Sequence, residues 1–462
     1  MTIEEIFNLG KPGDIIEQLK KKSVTIPEWS KLEQQYNPDK HPVMTDPSYK
    51  DTVKKGKIIR VSRVKLGLQK LAVKRMTQLT FGIPVTRVYT YDENSEKEKK
   101  AAKIIESILV KNRIDSLNIK RFKEYFAACE MATLWYSVDT KEKHNDYGES
   151  VNKKIRCRYF SPRLNDEIYP LFDEFDDMIA LSFGYTRKEG NKDVKYFDTY
   201  TDSQHICWRE ADGEWAEEAN EAITIEKIPG IYTNREESIW EDTSESVYEQ
   251  EWSLSRTGNY LRKNSRPIFG VFSDGKTEIG GKSKEGEDEA LAVMKLPEKA
   301  KAEYISWDQA IDSLKYFNDT LYRQTFTQLQ LPDISFDNMK ASPMSGEARL
   351  LMFTDAILKV TEESGDIVLF LDREINVIKA LARAIFPSMK EAINAVQVEN
   401  IITPFSVKSD KDKAETLMTL TGNKALLSQK SGVKILNYVA NPEEELTQLQ
   451  QEELMQTNGA YE

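Results

Sequence analysis

The stretch from Trp307 to Phe386 constrains this chain more than any other. A first helix is predicted from Asp308 to about Gln330, with Ser306 placed to cap it. Ile311, Leu314, Phe317, Leu321 and Phe326 fall at near-helical spacing along it. Leu331-Pro332-Asp333 ends it, because proline lacks the amide that the next turn would need. A loop follows to Pro343, and Ser345-Gly346-Glu347 opens a second helix. Its apolar side chains recur at Leu350, Phe353, Ile357, Val360, Ile367, Leu371, Ile375, Ile378, Ala382 and Ile385, with Ser364 in the one missing slot. About 40 residues at ~1.5 Å each give a rod of roughly 60 Å, long for a globular helix. Gly365, near its middle, predicts a bend, and Pro387 closes it. On periodicity alone, an ordinary pair of core helices fits this pattern.

A chain of 462 residues holds several domains and can bury a large core. Lys and Arg number 65 against 76 Asp and Glu, so the net charge is −11. Gripping nucleic acid depends on neutralising phosphates, and this balance opposes it. Smooth, weakly binding walls would tolerate it, as would many other proteins. No apolar run approaches the ~20 residues of a bilayer span, so no membrane partner is expected. Met1-Thr2-Ile3-Glu4-Glu5 has no secretory pattern, so export by that route is not expected either.

Cys129, Cys157 and Cys207 are scattered, with no CxxC pair, which argues against a disulfide framework or a zinc site. His205 and Cys207 would share a strand face, but two ligands do not make a metal site. Histidines occur only at 41, 144 and 205, leaving little material for acid–base chemistry. No cofactor and no enzymatic activity are expected.

Along the chain, residues 1 to about 60 read as short helices and polar loops, with a turn at Tyr36-Asn37-Pro38. Arg60 to Leu79 reads as a basic helix carrying Arg60, Arg63, Lys65, Lys70, Lys74 and Arg75, with an apolar stripe of Val64, Leu68, Leu71, Met76 and Leu79. A solvated face explains those charges as well as a binding face does. Ser95 and Glu98 form a capping-box pattern for a helix to about Ile114, and Phe122 to Met131 reads as another. Strands follow at Thr133–Val138, Lys154–Phe160, Glu167–Leu171, Met178–Thr186, Val194–Thr201 and His205–Arg209, and Lys227 to Arg235 closes the sheet. Asp173, Glu174, Asp176 and Asp177 sit between two strands, where acids solvate turns. Carboxylates so clustered could also hold a catalytic metal.

Helix signals resume from Ser238 to Asn264, weakened by Gly258 and ended at Arg266-Pro267. Ile268 to Phe272 and Ala290 to Leu296 read as strands around a charged tip at Lys282 to Glu289. Val396 to Thr403 reads as a strand. Ser409-Asp410, Ser428 and Asn441-Pro442-Glu443-Glu444-Glu445 start short C-terminal helices.

Several of these signals resemble the portal proteins of tailed bacteriophages, the siphophage type in particular. They are Tyr36-Asn37-Pro38, Phe81-Gly82-Ile83-Pro84, Ser161-Pro162-Arg163 leading to Ile168-Tyr169-Pro170 and the Ala180–Tyr185 strand, Lys227-Ile228-Pro229-Gly230, Met344-Ser345-Gly346-Glu347-Ala348 and the final Asn-Pro-Glu-Glu-Glu. Their order covers nearly the whole chain. The resemblance implies an α+β portal fold with an α/β wing, a helical stem, a small β-containing clip, a long bent wing helix and an α-helical crown. On this sequence it places the N-terminal segment and wing at 1–237, stem helices at 238–265 and 306–330, and the clip at 266–305 between them. The tunnel loop falls at 331–345, the long wing helix and its returning strand at 346–405, and the crown at 406–462.

The same resemblance implies a ring, usually of twelve subunits, at one capsid vertex. Such a ring serves terminase-driven genome packaging, DNA retention, tail attachment and DNA ejection. Implied partners are further copies of the chain, the terminase large subunit, a head–tail adaptor, major capsid and scaffolding proteins, and non-specifically held double-stranded DNA. Assembly would occur in the host bacterial cytoplasm, with the product in the virion. Channel-facing candidates are Asp333, Asp337, Asn338, Met339, Lys340 and Ser342; basic candidates at stem and clip are Arg262, Lys263 and Arg266; clip-tip candidates are Lys282 and Lys284. The loop keeps the family's asparagine but not its glycines. Competing readings are a metal-dependent phage nuclease using Asp173, Asp176 and Asp177, and a helical scaffold or adaptor without a channel.

Overall fold

The structure, a computed structural model, describes residues 2–22, 24–54, 56–211, 213–264, 268–272, 278–279, 294–295, 301–305, 311–333, 351, 353–405, 410–421, 428–436 and 445–451. Two compact units divide the chain. One gathers Met1–Ile26, Val73–Glu236 and Gln330–Glu462, and the other Pro27–Ala72 and Glu237–Leu329.

The first unit is layered. Strands Glu167–Phe172, Met178–Glu189, Lys192–Tyr200, Gln204–Ala211 and Glu214–Ala222 form an antiparallel meander in which each strand lies beside its sequence neighbour. Alternation gives that sheet two apolar faces. Phe197, Ile206 and Trp208 meet Ile6, Ile15, Ile16 and Leu19 of the helices Ile3–Phe7 and Pro12–Leu19. Ile168, Leu181 and Phe183 face the other way, onto Ala132, Leu134, Phe160 and Tyr232 of a three-stranded sheet. That second sheet runs Gly230–Asn234, Glu130–His144, Val151–Phe160.

The outer face of the three-stranded sheet meets helices, including Ile114–Ala128 and the long Thr354–Ile385. A buried charge cluster joins them. Arg121 forms a two-pronged pair with Glu374, at 2.5 and 2.7 Å, and Glu374 also accepts from the Trp135 indole at 2.9 Å. Asn118 and Thr133 accept further Arg121 protons. Arg121 and Glu374 are almost wholly buried, so the pair must be satisfied internally.

The predicted stripe of the long helix is realised: Val360, Ile367, Leu371, Ile375, Ile378 and Ala382 are all buried. The helix continues in α-conformation through Gly365, which is exposed. The returning strand Gln397–Ile401 pairs with Thr86–Thr90.

Several local expectations need correction. The helix predicted over Phe122–Met131 begins at Ile114 and stops at Ala128; Cys129 takes a left-handed conformation (φ 60°), and Met131 already belongs to a strand. Ser95 caps its helix as expected, but the Glu98 carboxylate accepts from the Asp92 amide. The strand Glu214–Ala222 was not foreseen, its sequence being rich in Glu and Ala.

In the second unit the basic helix starts only at Leu68. Residues 60–66 run extended along the helix Ser244–Asn264. The amides of Ser62, Val64 and Leu66 donate to Asn259 Oδ1, Ser255 Oγ and Glu251 Oε1, at 2.5, 2.8 and 2.6 Å. Two extended residues span about 6.6 Å and four helical residues about 6 Å, so alternate amides match successive helical turns. Gly258 sits where this strap comes closest, since a Cβ there would lie 2.7 Å from Ser62 Oγ. Hence the glycine does not break its helix. Glu251 also bonds buried His41 at 2.7 Å.

Ile268–Phe272 pairs with Lys301–Ile305, not with the predicted 290–296 stretch, of which Met294–Lys295 pairs with Glu278–Ile279. The charged tip at 282–289 lies outside the described residues, as do the helix starts at Ser306, Ser345 and Asn441.

Glu374→Gln leaves the Arg121 charge buried without its counter-ion and should lower unfolding free energy by about 3–5 kcal/mol in urea titration. Arg121→Met combined with Glu374→Leu should lose far less than the two single changes added; simple additivity would contradict the coupling.

Candidate functional site

The segment expected to reach the channel leaves from and returns to one anchored place in the first unit. Leu331 and Phe353 are buried on either side of it. Arg75 Nη1, on the helix Leu68–Phe81, donates to the Pro332 carbonyl at 2.6 Å. Pro332 and Phe353 then share the wall of a cavity of about 350 Å³ with Arg75, Gln78, Leu79, Gly82 and Phe405. The Phe405 amide donates to the Leu79 carbonyl at 2.7 Å. Gly82 is required here by contact: a Cβ would lie 2.3 Å from the Gln78 carbonyl oxygen and 3.3 Å from the Phe405 ring. The Phe81-Gly82-Ile83-Pro84 motif therefore seats the base of the loop as well as ending a helix.

Asp333, half-buried, is the one channel candidate among the described residues. Asp337, Asn338, Met339, Lys340 and Ser342 lie outside them, as do Arg266, Lys282 and Lys284. Arg262 is exposed in the last turns of the Ser244–Asn264 helix and donates to Asn259 Oδ1 at 2.6 Å. Lys263 shares that helix, its side chain lying outside the description.

The acidic cluster serves a turn. Asp173 Oδ1 accepts from the amides of Phe175 and Asp177, both at 2.9 Å, and Asp176 takes φ 61°. Among the described residues no three His, Cys, Asp or Glu side chains are placed to hold a metal ion.

His205 and Cys207 do share a face, and buried Asp198 sits beside both. Tyr185 Oη donates to its Oδ2 at 2.7 Å, and His205 Nε2 lies 3.3 Å from Oδ1. Burial pushes the Asp198 carboxyl up, but bonds from His205, Tyr185 and Cys207 outweigh it and hold the group below the usual range. The same cluster pushes the Cys207 thiol up to about 12, through burial first and Asp198 second. Cys157 is also pushed up to about 12, chiefly by burial. Thiols held protonated serve as weak donors, not as nucleophiles or ligands.

Sequence reading missed the Arg121–Glu374 pair, whose members are 253 residues apart with no shared motif. No helix among the described residues is long and apolar enough to cross a membrane.

Replacing Gly82 with alanine should cost about 1–3 kcal/mol, since backbone must yield to the new methyl. An unchanged urea midpoint would show that the Phe405 segment does not seat the loop.

Comparison with known proteins bears on identity. No curated protein matches the sequence. One similar solved chain comes from the neck of an empty gene transfer agent particle computed with C6 symmetry. It has 10% identity and a TM-score of 0.45, with 90% of this chain and 96% of that one covered. Another comes from the virion of a native gene transfer agent particle, with 9% identity and a TM-score of 0.40, covering 92% and 99%. Residues 18–459 match the family described as "Phage portal protein, SPP1 Gp6-like". With nearly its whole length matched, this chain belongs to the phage portal protein family.

Proposed function

We propose that copies of this chain close into a ring at one capsid vertex and that the ring's hollow conducts the genome. DNA would enter under the terminase, be retained after packaging and leave at infection, with an adaptor and tail joined on the outside. As in the family generally, the role is structural and not enzymatic. The observation that carries the ring is a set of large apolar side chains left uncovered on helices. Tyr316 is 69% exposed and Phe317 45% on the helix Ile311–Leu329, Phe317 being one of the apolar residues spaced along it. On the long helix Thr354–Ile385, Leu358 and Leu369 are 61% and 49% exposed and share one face. Rows of this kind are what a like copy would cover.

The net charge of −11 suits a passage whose walls must not hold DNA. The loop from Asp333 to Met344, within the anchored segment, is the part that would face the hollow, with Lys340 as its cation. Capsid and scaffolding proteins would contact the outer surface.

Negative-stain images of the purified protein should show rings with a central hole; compact or filamentous particles would count against the reading. Phe317→Glu, at an exposed position, should leave far-ultraviolet circular dichroism unchanged while shifting sedimentation toward monomer. Rings forming equally well would mean that this face is not covered by a neighbour. In particles, Lys340→Ala should alter the amount of DNA packaged or retained without changing ring assembly; packaging and retention equal to the parent would remove the loop from the channel.

A further inference from the structure

One strand of the three-stranded sheet carries an open edge inside a cleft. Gly230–Asn234 covers the strand Glu130–His144 only as far as Leu134. One more bond follows, from the Trp135 amide to the Pro229 carbonyl at 3.0 Å. There the pairing stops, because Pro229 has no amide with which to continue and the chain turns away. Peptide groups alternate sides along a strand, so Ser137 and Asp139 present theirs on the same edge as Trp135. Among the described residues no strand pairs with that edge beyond Trp135. Tyr136 and Val138 are exposed.

The cleft beside this edge has a volume of about 560 Å³, and its two walls differ. Tyr185 and Arg187 of the five-stranded sheet stand on one side, with Arg158 of the strand Val151–Phe160 against the Tyr185 ring, and Leu381 and Ile385 of the long helix stand on the other. The Arg187 guanidinium lies 4.9 Å from the Tyr185 ring centroid and that of Arg158 5.5 Å, so two cations flank one aromatic ring. Arg158 also pairs with Asp166 at 3.4 Å. Two carboxylates line the same cleft: exposed Glu221, and Asp198, which is committed to Tyr185 and His205.

We propose that the Ser137–Asp139 edge accepts an extended segment of a partner protein as an added strand, continuing the line of Gly230–Asn234. Its chemistry follows from the walls, since side chains of an added strand alternate between them. One set would be carboxylates meeting Arg158 and Arg187, and the other apolar groups lying on Leu381 and Ile385. The open edge from Tyr136 to Thr140 offers about 17 Å, enough for a five-residue segment. This inference does not depend on the portal reading, since the edge and both walls belong to one unit of one chain.

A fluorescein-labelled octapeptide of alternating glutamate and valine, titrated against the full chain by anisotropy, tests it. Saturable binding is expected, with slowed hydrogen exchange at Ser137 and Asp139. Ser137→Pro removes an amide that faces away from the paired neighbour. It should weaken binding about tenfold with the melting temperature kept, the scale of one lost backbone bond and an obstructing ring. Arg187→Glu, at an exposed position, should weaken it similarly, and a lysine–valine octapeptide should bind about tenfold less well than the acidic one. Equal affinity of the two peptides would overturn the charge assignment, and undiminished binding to Ser137→Pro would overturn the added strand. If Ser137→Pro instead abolishes self-association of the chain, the occupant is a second copy and the partner assignment fails.

Discussion

The Arg121–Glu374 pair decides where the long helix lies against the three-stranded sheet. Removing two charges from water costs several kcal/mol for each ion, repaid only when geometry is good and the remaining protons are taken up. Here both carboxylate oxygens meet guanidinium protons, the Trp135 indole adds a donor, and Asn118 and Thr133 accept the rest. The Phe370 ring lies 4.9 Å from the guanidinium carbon. Apolar side chains alone would tolerate a helix slid by one turn, because the stripe repeats. A charge pair does not, since a one-turn slip of about 5.4 Å would leave both ions buried and alone. A second pair, Arg235 with Glu363, holds the same helix three turns earlier.

In the second unit the corresponding rule is a match of repeats. An extended strap and a helix share no hydrogen-bond pattern, yet Ser62, Val64 and Leu66 meet side chains one helical turn apart. The helix supplies acceptors at Asn259, Ser255 and Glu251, positions that look like ordinary polar surface in the sequence. Gly258 beside them lets the strap approach. The ladder explains why residues 60–66 stay extended although their charge and apolar spacing continue those of the helix that follows.

Much of the fold was legible because its signals are local. The stripe from Phe353 to Ala382 is periodic, the Ser95 cap is a short-range bond, and the strands Val151–Phe160 to Gln204–Ala211 alternate visibly. What escaped is non-local or atypical. Glu214–Ala222 is a strand because Gln204–Ala211 offers an edge to it, not because Glu and Ala prefer strands. Lys301–Ile305 pairs across more than 25 intervening residues with Ile268–Phe272, so the nearer 290–296 stretch looked the better partner. For the site, Gly82 and Pro332 were readable as helix ends, while their shared task at the base of the loop needed Phe405 and Arg75 brought beside them. Channel residues from Asp337 to Ser342 rest on resemblance alone.

Glu363 and Glu374 are eleven residues apart, which is close to three turns, so both pins project from one face of the long helix. Leu358 and Leu369 are also eleven residues apart and occupy another face, about 140° around the axis at 100° per residue. Two acids thus interrupt an otherwise apolar buried side, while large apolar groups recur on the side facing water. A monomer gains nothing from it, since uncovered leucine invites aggregation. A subunit does gain: polar pins set one register within the chain, and the opposite face keeps apolar surface for its neighbour. Register inside and adhesion outside are thus assigned to different chemistry on one helix, and a change to either can be made without disturbing the other.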